Sequence, residues 1–123
     1  MIIGVGIDIA SCKRFRSEDE RFGEDFFAKI FSPDEVTQCR AHRDPYSCFA
    51  AFFAVKEAVM KALGFGLRDG ASFLEITVDA SDGISVHLTG KMRLKAEQLG
   101  VGNLIASFSC NEDNAVAVVV AER

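Results

Sequence analysis

Three observations predict an α+β fold, with a small, mostly antiparallel sheet packed on one long apolar helix. The chain opens on the alternating run MIIGVGIDIA, it carries an almost uncharged segment from Pro45 to Leu63, and its last third reads as strands divided by turn residues and one helical stretch. In the opening strand, side chains alternate faces. Ile3, Val5, Ile7 and Ile9 line one side, and Ile2, Gly4, Gly6 and Asp8 line the other. Glycine weakens a strand interior, so Gly4 and Gly6 mark the close approach of another backbone or of a ligand. The segment CKRFRSEDERFGEDFFAKIF then reads as two short helices broken near Gly23. Ser32-Pro33-Asp34-Glu35 is a helix start with a serine cap, proline in the first turn and a glutamate placed for a capping box, and that helix is expected to run to about His42. Pro45 opens the long apolar helix, and Gly64 is placed to close it in the left-handed conformation. FLEITVD and GISVHL are strands joined through Ala80 to Gly83. Thr89 to Leu99 is a helix ended by Gly100, and LIASFSC pairs with AVAVVVA across Asn111 to Asn114.

The chemistry concentrates in the long helix and the first strand. Between Asp44 and Arg68 the only charged residues are Lys56, Glu57 and Lys61. A helix this apolar must be mostly buried, and a buried carboxylate needs a cation or strong donors. Lys61 follows Glu57 by one helical turn on the same face, an arrangement that on most helices is an ordinary surface pair of about 0.2–0.5 kcal/mol. Asp8 is a second isolated carboxylate in apolar surroundings; capping the next turn is its common structural use, and a cation shared with Glu57 is its functional one. Lys56 is expected to snorkel to the helix surface.

The start GVGIDI, the segment FAAFFAVKEAVMKALGFGLRDG, the helix ending AEQLGVGN and the final strand AVAVVVAE resemble holo-[acyl-carrier-protein] synthases, the short trimeric class of the 4′-phosphopantetheinyl transferase superfamily. The resemblance implies one phosphopantetheinyl transferase domain over residues 1–123. Its activity would be magnesium-dependent transfer of the phosphopantetheine arm of coenzyme A to a serine of an acyl carrier protein, with release of 3′,5′-ADP. Asp8 and Glu57 match the metal-binding acids. Lys61 matches a lysine on the coenzyme phosphates, so that Asp8, Glu57 and Lys61 form the catalytic set. Gly64 and Gly66 match the loop beside the nucleotide, and Arg14, among Lys13, Arg14, Arg16 and Arg21, matches the residue that docks the acidic carrier protein. A homotrimer with each site between subunits is implied as well. The chain departs from the pattern at Phe52, where relatives carry arginine before F-A-x-K-E-A. Phe52 then either lines the coenzyme pocket, with Arg40, His42 and Arg43 supplying charge, or packs in the core or an interface. Asp82 to Ser85 replaces the usual G-K-P at a turn.

Composition narrows the classes. The chain has 123 residues with a formal charge of −4 and lacks interleaved aromatic and basic residues, which argues against nucleic-acid binding. No run approaches the roughly 20 apolar residues of a membrane span, and MIIGVGID lacks the basic region of a secretory signal, so a cytoplasmic location is expected. Cys12, Cys39, Cys48 and Cys110 form no C-x-x-C pair and read as separate reduced thiols. Two other functions use the same features. One is a non-catalytic module that binds coenzyme A or carrier protein, motivated by Phe52; the other is a metal-dependent phosphohydrolase.

Overall fold

Gly4 and Gly6 decide how the sheet and the long helix meet. In the computed structural model, which describes residues 1–123, the first strand β1 spans Ile2–Ser11 and lies against the 19-residue helix Pro45–Leu63. A Cβ on Gly4 would overlap the Ala62 carbonyl, and one on Gly6 would overlap the Ala58 carbonyl. The close approach foreseen at these glycines is thus made by the helix backbone, with small alanines on the facing side.

The remaining elements follow in chain order: α1 (Cys12–Phe22), α2 (Glu24–Phe27), α3 (Pro33–Arg40), α4 (the Pro45–Leu63 helix), β2 (Ile76–Asp79), β3 (Ser85–Leu88), α5 (Gly90–Leu99), β4 (Asn103–Cys110) and β5 (Asn114–Glu122). β1, β5 and β4 form one antiparallel sheet in that order, with Asp8 opposite Ala117 and Ser107 opposite Val118; β2 and β3 form a separate antiparallel pair. A bulge between Ile2 and Gly4 interrupts the alternation at the start of β1. Strand and helix limits agree with the sequence reading to within a few residues. α3 ends at Arg40 rather than His42, and FLE forms a single 3-10 turn before β2. The capping box at Ser32 and Glu35, the break at Gly23 (φ 57°) and the left-handed cap at Gly64 (φ 61°, ψ 33°) are all present.

α4 is the core of the molecule: fourteen of its nineteen residues are buried. One side packs on the sheet, and the other receives an aromatic cluster from α1 to α3, in which the Phe27 and Phe49 rings lie 4.4 Å apart and Phe15 meets Phe53 at 5.5 Å. No helix is long and apolar enough to cross a membrane.

Three expectations need correction. Lys56 does not reach the surface. It is fully buried, and its Nζ donates to Glu35 Oε1 (2.8 Å), Ile30 O (2.7 Å) and Phe73 O (3.1 Å). α3 and the segment leading into β2 cover the face through which a snorkelling lysine would need to pass. Burial pushes the Lys56 ammonium down from its ordinary range, while Glu35 pulls it back. Three acceptors around one nitrogen match the three N–H groups that only the charged form carries. Glu35 is equally occupied: it accepts from Ser32 N, Lys56 and Val78 N.

Phe52 is the second correction. It is fully buried, with its ring 6.4 Å from that of Phe108 under the sheet, so it lines no coenzyme pocket. An arginine here would be an unpaired buried charge and would destabilise the fold rather than tighten binding. The third concerns the cysteines. Cys39 and Cys48 form a disulfide, with Cα atoms 5.2 Å apart, because the end of α3 and the start of α4 run side by side after a short turn. Cys12 and Cys110 remain free thiols.

Candidate active site

Asp8 follows Gly6 by two residues on the helix-facing side of β1, so the tight contact made by the glycines carries its carboxylate up to α4. There Lys61 meets it, with Nζ 3.0 Å from Asp8 Oδ1 and 3.0 Å from the Ile7 carbonyl. The sequence placed Glu57 and Lys61 on one helical face, and they share it. Lys61 nevertheless closes on Asp8 across to the sheet, and Glu57 belongs to none of the molecule's four ion pairs.

Glu57 is therefore half-buried without a bonded cation. Burial, and then the negative charge of Asp8, push its carboxyl above the usual range; Lys61 and Arg14 act in the opposite direction. Two carboxylates that disfavour each other's charge form an arrangement that a cation relieves. Their oxygens are hard donors, and no third His, Cys, Asp or Glu joins them, so the protein itself would supply two carboxylates to a hard cation. Asp8 and Glu57 are the residues that could hold a hard divalent ion here.

Arg14 stands at the edge of the same site. Its backbone N–H is bonded to the capping Ser11 hydroxyl, and its guanidinium lies over the Phe53 ring, 5.6 Å from the centroid. Phe53 was not singled out from the sequence, although its position one turn before Glu57 on the same face was the signal that could have found it. Arg40, considered as a source of charge for the coenzyme, is unavailable because both its Nη atoms bind Asp19, at 2.8 and 2.9 Å.

The glycine loop is more self-contained than expected. Gly64 N–H bonds to Lys61 O, Phe65 N–H to Met60 O, and Gly66 N–H to Asp69 Oδ2. Gly64 needs its left-handed backbone, whereas a Cβ on Gly66 would make only ordinary contact with Met60. Nothing in the chain itself requires Gly66 to be bare. The loop offers close approach rather than free amide donors.

Around the acids the surface is apolar. Asp8 and Lys61 share a shallow depression of about 350 Å³ with Ile7, Ile9 and Val116. It opens onto the outer face of the sheet, where Val5, Ile7, Ile9, Ile105, Val116 and Val118 are exposed, Ile9 at 63%.

Residues 4–119 match the model of the 4′-phosphopantetheinyl transferase superfamily. The chain belongs to that superfamily. It is 43% identical, over 98% of its length and 93% of the relative's, to a holo-[acyl-carrier-protein] synthase of Desulforudis audaxviator. Among solved structures, the holo-[acyl-carrier-protein] synthase of Neisseria meningitidis superposes with a TM-score of 0.86 at 34% identity, each chain fully covered. That of Helicobacter pylori, solved in complex with coenzyme A, gives 0.82 at 34% identity over 96% of this chain and 99% of the other. The superfamily member described here is an enzyme of the holo-[acyl-carrier-protein] synthase type.

Proposed function

We propose that this enzyme transfers the 4′-phosphopantetheine arm of coenzyme A to a serine hydroxyl of an apo acyl carrier protein and releases 3′,5′-ADP, with magnesium as its metal. The observation that carries the reading is the meeting of Asp8, Lys61 and Glu57 beside a glycine-capped helix end, in a chain alike over its full length to holo-[acyl-carrier-protein] synthases. In the reaction, the serine oxygen attacks the phosphorus that bears the pantetheine arm, and the bond from that phosphorus to the oxygen of the 3′,5′-ADP leaving group breaks. Asp8 and Glu57 would hold magnesium, which when bound neutralises and orients the diphosphate. Lys61, tethered by the Ile7 carbonyl, presents its ammonium to phosphate oxygens, and its half-exposed side chain leaves room for that contact. The serine proton would pass to Glu57 or to a water beside it. Gly64 and Gly66 let the nucleotide approach the backbone. Arg14, on a helix that also exposes Lys13, Arg16 and Arg21, receives the acidic carrier protein next to the reacting groups.

The exposed sheet face supports a homotrimer. Valine and isoleucine side chains cover the outer face of β1 and β5, with Ile105 joining them from β4, a surface that identical subunits can bury, and the depression holding Asp8 and Lys61 opens onto it. A cytoplasmic location accompanies this reading. The non-catalytic alternative loses its motive, since Phe52 is a core residue.

The test is mass spectrometry of apo carrier proteins incubated with the enzyme, coenzyme A and magnesium. The arm should appear on the carrier and fail to appear with a chelator present. Hydrolysis of coenzyme A without carrier modification would instead identify a phosphohydrolase. Light scattering should give three subunits, and a fully active monomer would overturn the assembly.

A further inference from the structure

The corner between α3 and α4 holds a disulfide that the transfer chemistry does not use. Cys39 lies in the last turn of α3 and Cys48 in the first turn of α4. Their neighbours share a target: Arg40, next to Cys39, binds both oxygens of Asp19, and Tyr46, two residues before Cys48, donates its hydroxyl to Asp19 Oδ2 at 2.8 Å. Asp19 belongs to α1, the helix that carries Lys13, Arg14, Arg16 and Arg21. The Arg40 guanidinium is itself sandwiched near the Phe27 and Phe49 rings, at 5.1 and 5.2 Å, and Arg16 of α1 lies over the Tyr46 ring at 5.2 Å. The disulfide thus joins the two segments that together grip α1. The corner also has non-covalent closures, the Asp19 contacts and the Asp44 cap on Ser47, so it has the means to fold with the bond open. Cys39 is fully buried while Cys48 is half-buried, so Cys48 is the more accessible of the two residues.

We propose that Cys39 and Cys48 form a reversible thiol-oxidation site that sets how firmly α1 is held for the carrier protein, an inference that rests on the transferase reading above. The oxidant is a low-molecular-weight disulfide of the glutathione class. The Cys48 thiolate attacks it and forms a mixed disulfide, releasing one small thiol. The Cys39 thiolate then attacks the Cys48 sulfur and displaces the second. The protein loses two protons and two electrons, and the small disulfide gains them as two thiols. A disulfide in a reducing compartment is usually a responsive one. Cys48 precedes Glu57 by nine residues, roughly 13 Å along the helix axis, so the bond acts through α1 and not by contact with the reacting groups.

The experiment equilibrates the full-length enzyme in glutathione buffers of stepped ratio. It reads the Cys39–Cys48 bond by non-reducing peptide mass, steady-state transfer to apo carrier protein, and amide hydrogen exchange over Cys12–Phe22. Reduction should raise the KM for carrier protein by about threefold to tenfold, the size of a modest coupling between sites, with the KM for coenzyme A unchanged and exchange in α1 faster. Cys48→Ser should behave as the reduced form at every ratio, and Arg40→Gln should abolish the difference between redox states. The proposal is overturned if the two thiols never pair at any ratio, or if the bond forms and neither carrier KM nor α1 exchange changes. Absence of arm transfer in both states would refute the transferase reading instead, and hydrogen exchange would still decide whether the bond holds α1.

Discussion

Lys56 and Lys61 stand five residues apart on one helix and each closes on one carboxylate, yet the two pairs live in different solvents. The Lys56–Glu35 pair is fully enclosed, at 0% and 1% side-chain exposure, and every donor and acceptor on it is used within the protein. The Lys61–Asp8 pair has a lysine that is 53% exposed, and its acid faces a second, unpaired acid. The first pair ties α3, α4, β2 and the turn after α2 together. The second has capacity left for a ligand. A buried charge pair of this kind has little to offer a substrate, because all its hydrogen-bonding groups are already spoken for; an exposed, incompletely satisfied one is where binding energy remains available.

Breaking each pair in turn tests this contrast. The largest expected effect is that of Lys56→Met, which strands the Glu35 carboxylate in the interior and should destabilise the protein by about 3–5 kcal/mol. Chemical denaturation measures it, and a loss below about 1 kcal/mol would show that the pair does not hold these elements together. Lys61→Met should lower stability by no more than about 1 kcal/mol, as expected for an exposed pair. It should nevertheless reduce kcat/KM for coenzyme A about tenfold to a hundredfold, the value of a charge-assisted contact to phosphate. Equal stability losses for the two lysine variants would erase the distinction between the sites.

The smallest effect sharpens the comparison at the unpaired acid. Because burial and Asp8 raise the proton affinity of Glu57, the folded protein binds this proton more tightly than the unfolded chain does. Stability therefore falls as pH rises through the window from the ordinary carboxylate value to the raised one. Glu57→Gln should remove that loss. The variant should be more stable than the parent at neutral pH by less than about 1 kcal/mol for a half-exposed group, with the gain vanishing below the usual carboxylate range. Thermal melts across pH read this directly, and a gain that persists in acid would assign it to packing. The same variant should fail to transfer the arm, so stability and activity move in opposite directions.

Much of the fold was legible because its signals are local. Ser32 and Glu35 announce the start of α3, Pro45 and Gly64 bound α4, and Asn111 to Asn114 turn the last hairpin, since capping and turn geometry depend on residues a few positions apart. The candidate site was legible in part for a similar reason. Three charges in an apolar helix and one acid beside two glycines stand out against their neighbours. What stayed hidden was partnership. Helical spacing matched Lys61 with Glu57, whereas the lysine reaches the sheet. The reading of Lys56 as a surface residue failed because a helix does not reveal which elements cover each of its faces.

The sequence by itself determined the α+β class, the order of elements and the residues around which the site is built, because periodicity, caps and unusual charges are written along the chain. Only the tertiary structure decided that Lys56 is structural, that Phe52 is core, that Cys39 and Cys48 join, and that Asp8 takes Lys61. Each of these depends on what is brought against a side chain from distant sequence, and that packing sets its dielectric surroundings and its available partners.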